Sequence, residues 1–320
     1  LKAYDIVVAE LENATGVQLR EYLGALNNEQ PSLRRYFDNV GEAVLQTAAL
    51  LQGKQPNQKG YFELDHPKFV SQWVLVTSGL RRLTELLSAE GIFDSARVPT
   101  GPALPVAAAL LAVAEETGDN RATADQLVRR YLWSAFFTIR YQGAAATRAM
   151  ADYAPLRAII GGTGGADDVP VFDRQLYPLP SRRELLEAGW SKKADRLGRA
   201  VLAASTYFGA RDFADNTSLS ADNVGRREYH HLFPDKLLKD AGIDSFLALN
   251  CALITWKTNR TIGRLDPIQY LEDRAQKAPN ARDVEGRLET HLVPYELLAA
   301  AGPYPDGLTG PELAALVRPD

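Results

Sequence analysis

Cysteine is almost missing from this 320-residue chain, in which Cys251 is the only one. A lone thiol excludes an internal disulfide and any four-cysteine zinc staple, and it makes the reducing cytoplasm the expected compartment. No run of about 18 apolar residues occurs, which excludes a membrane-spanning helix, and no signal-peptide pattern opens the chain. A surplus of positive charge is lacking too: 36 Lys and Arg stand against 40 Asp and Glu, a net charge of −4. That balance excludes a protein coated in basic surface for nucleic acid. No internal repeat and no heptad run is found, so neither a solenoid nor a coiled coil is expected. Glycine is densest at Gly161 to Gly165 (GGTGG). No lysine and hydroxyl follow it, as a phosphate-binding loop would need, so the stretch reads as a flexible linker.

What is present is an ordinary soluble composition, 46% hydrophobic and 24% charged, in a chain long enough for two cores. The first half reads as helical. Leu19, Tyr22, Leu23 and Leu26 recur at helical spacing, and Val40 to Leu51 repeats the pattern. Phe69, Trp73, Val76, Leu80, Leu83 and Leu87 form one stripe after Pro67, and Val106 to Ala114 is apolar enough to be a buried helix. Thr123 and Gln126 read as a capping box opening a long helix with Val128, Tyr131, Leu132, Ala135, Phe136 and Ile139 facing inward. Arg129, Arg130 and Arg140 fall outside that stripe and read as exposed solubility residues. His66, in the triplet Asp65-His66-Pro67, sits at a helix start and reads as structural, as does His291 in its apolar, proline-bounded segment.

The most informative stretch runs from Glu228 to Arg264. The pair His230-His231 is followed three residues later by Pro234, 19 residues after His231 by Asn250, and nine residues further by Asn259. Arg227 to Leu232 reads as a strand that stops where Pro234 removes a ladder donor. Lys236 to Asp240 reads as a short helical turn, and Leu249 to Trp256 has the β-branched, apolar make-up of a second strand. Thr255 or Thr258 caps the helix that follows, with Asn259 near its start. The product is a ββα unit in which an imidazole pair faces a carboxamide.

An imidazole and a neutral carboxamide hold a divalent ion loosely, leaving positions for substrate oxygens and water, while a second imidazole takes a proton from water. That set suits phosphodiester hydrolysis, with the helix N-terminus adding a favourable field for phosphate. His230 and Asn259 are the expected metal ligands and His231 the general base. Asn250 is expected to pin the loop carrying the histidines. From Asn223 to Arg264, seven cationic side chains stand against four carboxylates, a local surplus of three. Among them, Lys236, Lys257, Arg260 and Arg264 are the candidate phosphate contacts.

These residues resemble the HNH, or ββα-metal, nuclease superfamily, whose first motif is most often an acidic residue, histidine and, three positions on, proline. Here His230 takes the acidic position, a departure also seen in bacterial toxin DNases of the superfamily. The expected ion is Mg²⁺ or Mn²⁺, with Ni²⁺ or Zn²⁺ also compatible, since imidazole favours Zn, Ni or Mn relative to Mg more than a carboxylate does. HHLFP, NCALITWKTNRTIG and DPIQYL look like the C-terminal nuclease region of GmrSD-type modification-dependent restriction proteins, a group that includes the phosphorothioate-sensing SspE defence proteins. The opening LKAYDIVVAELE and Arg129 to Met150 resemble the helical segment that precedes the nuclease in the same group.

The resemblance implies a nicking DNA endonuclease of an antiphage system, acting on double-stranded DNA with one divalent ion per site. It also implies that the chain is a C-terminal piece, preceded in the full-length protein by a nucleotide-hydrolysing sensor domain. The expected fold is mainly α: a helical domain over 1–160, a linker over 161–180, an α+β HNH domain over 181–286 and a tail over 287–320. The competing reading is a non-catalytic DNA-binding or interaction module that retains a degenerate ββα fold, and a third is an RNase or toxin-type nuclease.

Overall fold

The computed structural model describes residues 3–114, 118–190, 195–240, 242–262, 267–280 and 282–300. The chain is mainly helical, with one small two-stranded antiparallel sheet. Among the described residues no helix is long and apolar enough to cross a membrane. Two compact units divide it: residues 1–87 with 94–180, and residues 88–93 with 181–320.

The first unit contains α1 (Ala3–Thr15), α2 (Leu19–Glu29), α3 (Val40–Leu51), α4 (Trp73–Ala89, whose last two residues belong to the second unit), α5 (Ala103–Val113), α6 (Gly118–Phe137) and α7 (Ala145–Ile160). Asn39 caps α3 by accepting the Glu42 N–H at 3.1 Å. All but two of the α3 residues are buried, and α5 is buried along nearly its whole length, as an apolar circumference requires. Gly79 lets α4 and α5 touch backbone to backbone: a Cβ there would lie 2.3 Å from the Ala108 carbonyl oxygen.

Several features of this unit differ from the sequence expectation. α6 begins at Gly118, so Thr123 and Gln126 lie within it and cap nothing. Ile139, expected inside, is 51% exposed just beyond the end of the helix. Arg140 is a buried ion-pair partner and not a solubility residue. Its Nε donates to both carboxylate oxygens of Asp152 at 3.1 Å, and its Nη1 donates to the Tyr177 hydroxyl at 2.7 Å. Asp152 also accepts from the Tyr141 hydroxyl at 2.9 Å and from the Val171 N–H at 3.3 Å. These bonds satisfy a carboxylate with no exposed surface, a group that would otherwise be too costly to bury. They also attach the segment after the GGTGG stretch, where Val169 and Val171 are fully buried. Residues 161–180 therefore belong to the first unit, which is not what a free linker would do.

The second unit contains α8 (Arg196–Thr206), β1 (Arg227–His231), α9 (Asp235–Asp240), β2 (Cys251–Thr255), α10 (Trp256–Ile262), α11 (Pro267–Lys277) and α12 (Arg282–Glu289). β1 and β2 pair in the register His230↔Ala252 and Tyr229↔Leu253. β2 is buried on both faces. Ala252 and Ile254 join a cluster with Phe213, Ile262, Tyr270, Leu271, Val284 and Leu288, whereas Leu253 joins Phe93, Ala210, Leu219 and Val224. Burial on both sides is why the strand reads as an unbroken apolar run. α12 runs through position 286, and Leu288 and Val293 lie in the first cluster, so the unit extends past the boundary expected from sequence. The proline-containing end of the chain, from 301 onward, lies outside the described residues.

His291 is 2% exposed, edge-on to Phe213, with Nε2 against the Arg211 carbonyl at 2.8 Å. Burial pushes its pKa down to about 4. The folded state thus holds a neutral ring while the unfolded chain takes up a proton below about pH 6.5. Stability from this group is present above that pH and falls as pH drops toward 4, by about 3 kcal/mol in all. Denaturation of wild type and His291→Gln between pH 7 and 4 is expected to show the shallower slope in the variant. Equal slopes would contradict the assignment.

Candidate active site

The site is assembled around a carboxylate that the motif does not contain. Gly209 and Ala210 turn the chain with positive φ, and Asp212 follows with its side chain 1% exposed. Its Oδ2 accepts the Thr255 N–H at the end of β2 at 2.7 Å and lies 3.3 Å from Nη1 of Arg227 at the start of β1. Its Oδ1 accepts the Thr258 hydroxyl in the first turn of α10 at 2.6 Å and the Ala214 N–H at 2.9 Å. Burial pushes the Asp212 pKa up, but the hydrogen bonds from Thr258, Thr255 and Ala214 outweigh it and leave the group below its ordinary value. Thr255 Oγ1 accepts the Thr258 N–H at 3.3 Å and caps α10.

Asn250, 7% exposed, ties down the turn after β1. Its Oδ1 accepts the Phe233 N–H at 2.8 Å, and its Nδ2 donates to the carbonyls of Phe233 at 3.1 Å and Ser245 at 3.2 Å. Both amide hydrogens and the carbonyl oxygen are engaged in holding the loop.

The two histidines do not share a face. Directly paired residues of an antiparallel ladder lie on the same side, and side chains alternate along a strand. His230, opposite Ala252, therefore points with Glu228 toward the larger core cluster, where it lines a small cavity with Phe213, Leu232, Ile262 and Tyr270. On the same face Asn259 Nδ2 donates to Glu228 Oε2 at 3.1 Å, and the Asn259 side chain acts on the His230 ring. Burial lowers the His230 pKa, with the Asn259 bond opposing the shift. His231, opposite Cys251, points the other way. Its ring stands edge-on to Trp190 at 5.2 Å and to Phe246 at 5.5 Å. Burial lowers its pKa as well, opposed by the charge of Asp235. Its Nε2 is buried and has no hydrogen-bond partner among the described residues. The expectation that both imidazoles converge on Asn259 is thus corrected: His231 lies on the opposite strand face.

Lys257 and Arg260 are exposed on α10, with the Arg260 guanidinium 4.8 Å from the centre of the Trp256 ring. Lys236 lies in α9, and Arg264 falls outside the described residues. Glu228 was not singled out from sequence, although its spacing of two from His230 puts both on one strand face. Asp212 carries no local signal of this role, because apart from the Ala214 N–H its partners lie 15 to 46 positions away.

The donor chemistry of the His230 face, one imidazole nitrogen, one carboxamide oxygen and one carboxylate, fits a divalent ion that keeps open positions. Among the described residues no three His, Cys, Asp or Glu side chains converge on a point, so such an ion would depend on the Asn259 oxygen. No family model matches this chain, and no curated protein proves similar enough to count as a relative.

Removing Asp212 leaves Arg227 buried without its counter-charge and frees the Thr255 and Thr258 donors. Asp212→Ala is expected to destabilise the second unit by about 3–5 kcal/mol in denaturant unfolding. A change under about 1 kcal/mol would show that the ββα unit does not depend on this carboxylate.

Proposed function

We propose that the second unit is a metal-dependent DNA endonuclease of the HNH class, serving a modification-dependent restriction system whose sensor domain lies elsewhere in a longer protein. The observation that carries the reading is the bond from Asn259 Nδ2 to Glu228 Oε2, which brings the carboxamide of α10 to the strand face that also carries His230. The resemblance noted in the sequence supports the restriction context.

In this reading His230 and Asn259 hold the ion, with Glu228 able to add a carboxylate oxygen. A bound divalent ion would supply polarisation of the phosphate and stabilisation of the departing oxygen. Asn259 contributes an oxygen donor that does not ionise near neutral pH. Lys257 and Arg260, exposed on α10, meet the backbone phosphates flanking the cut. The motif gives the proton transfer to His231; with Nε2 buried on the opposite strand face, that role requires the ring to turn toward the His230 side, where the attacking water would stand. Asn250 fixes the loop between the histidines and α9, and so sets where that ring can stand. One ion and one base cut one strand, and a nick is the elementary event.

A second reading rests on one observation. The edge contacts of His231 with Trp190 and Phe246 are those of a structural histidine, which favours a non-catalytic DNA-binding module.

Supercoiled plasmid incubated with Mg²⁺, Mn²⁺, Ni²⁺ or Zn²⁺ separates the two. The endonuclease reading predicts open-circle product that EDTA abolishes, and a loss of about 100-fold or more in rate for both His231→Ala and Asn259→Ala. Metal-independent DNA binding without nicking, unchanged in both variants, would establish the second reading, and cleavage confined to RNA would overturn both.

A further inference from the structure

Tryptophan is usually largely buried, and three of the four in this chain are half-buried against aromatic neighbours: Trp73 on Tyr22 and Phe69, Trp133 on Phe136 and Phe137, Trp190 on Tyr229 and His231. Trp256 differs. It opens α10 and is 47% exposed. Core packing does not explain it, because the buried residues of that helix are Thr258 and Ile262.

Its position relative to the site is fixed by helix geometry. Trp256, Asn259 and Arg260 are spaced i, i+3 and i+4, so they share one face of α10. Asn259 on that face donates to Glu228, which shares a strand face with His230. Arg260 lies over the indole at 4.8 Å, and Lys257 beside it is exposed. A guanidinium on one side of the ring leaves the other side to receive a flat partner, and two cations beside it select an anionic one. A polynucleotide base with its phosphates has both properties. A base inside an intact duplex is already stacked on its neighbours and cannot reach an exposed indole without being extruded.

We propose that Trp256 is a base-stacking platform, which makes the site prefer DNA with an unpaired nucleotide next to the scissile phosphate over fully paired duplex. This rests on the endonuclease reading for the location of the scissile bond, but the stacking itself needs no metal and no cleavage. Each phosphate contact from Lys257 or Arg260 adds salt-dependent affinity for either form of DNA. The indole adds affinity only for the form with a free base.

The test uses the full chain in EDTA, with a single-stranded DNA oligonucleotide and its fully paired duplex as probes, read by fluorescence anisotropy of the labelled DNA. Wild type is expected to bind the single strand more tightly than the duplex. Trp256→Ala is expected to weaken the single strand by about tenfold or more and leave the duplex within about twofold, while Trp256→Phe keeps most of the preference. Circular dichroism and the melting temperature of each variant should match wild type, as expected for an exposed side chain. Equal affinity of wild type for both probes, or equal losses for both in Trp256→Ala, would overturn the proposal. The two proposals fail separately. A Trp256-dependent preference in a protein that nicks with no ion would sink the endonuclease reading and keep the platform, and nicking indifferent to Trp256 with no preference in binding would do the reverse.

Discussion

Everything in the second unit that bears on function depends on burying one carboxylate. Asp212 reaches three elements at once: the first residue of β1 through Arg227, the last of β2 through the Thr255 N–H, and the first turn of α10 through Thr258. Each bond alone contributes on the order of 1 kcal/mol, more where a charge is involved. Their joint effect is geometric, since an ionised oxygen in a dry interior keeps its donors within narrow limits of distance and angle. α10 is only seven residues long and would not be stable alone. The Asp212 anchor and the burial of Ile262 are what allow so short a helix to hold Asn259 against His230.

The strand pair then divides the motif in two. One face of β1 carries Glu228 and His230 toward α10, and the other carries Tyr229 and His231 toward Trp190 and Phe246. Adjacent histidines in sequence thus occupy different environments, one among polar ligand-type groups and an apolar cavity, the other among aromatic edges. The two rings are accordingly perturbed differently: burial lowers both pKa values, opposed by Asn259 for His230 and by the charge of Asp235 for His231.

Much of this unit was legible in the sequence because its signals are local. The Pro234 stop and the Thr255 cap mark element ends, and the second strand, Cys251–Thr255, lies inside the apolar run expected from Leu249 to Trp256. The loop-holding role of Asn250 follows from its place just before β2, opposite the turn after β1. What sequence spacing could not supply is facing. A spacing argument brought both histidines to Asn259, but the period of two along a strand allows only one. Glu228 could have been found by that same period. Asp212, Arg140 and Asp152 could not: their partners are distant in sequence, and a charged residue gives no local sign that it will be buried in a pair. The GGTGG stretch misled for a related reason. Glycine marks where the chain can turn, whereas Val169 and Val171 just beyond it decide that the segment packs down.

The most direct measurement of the central claim is paramagnetic broadening of the histidine ring resonances by sub-stoichiometric Mn²⁺. Only four histidines are present, so each can be followed. The account predicts that the His230 signals broaden first, that His66 and His291 are unaffected, and that Asn259→Ala abolishes the selectivity. Uniform broadening of all four rings, or an unperturbed His230, would contradict it.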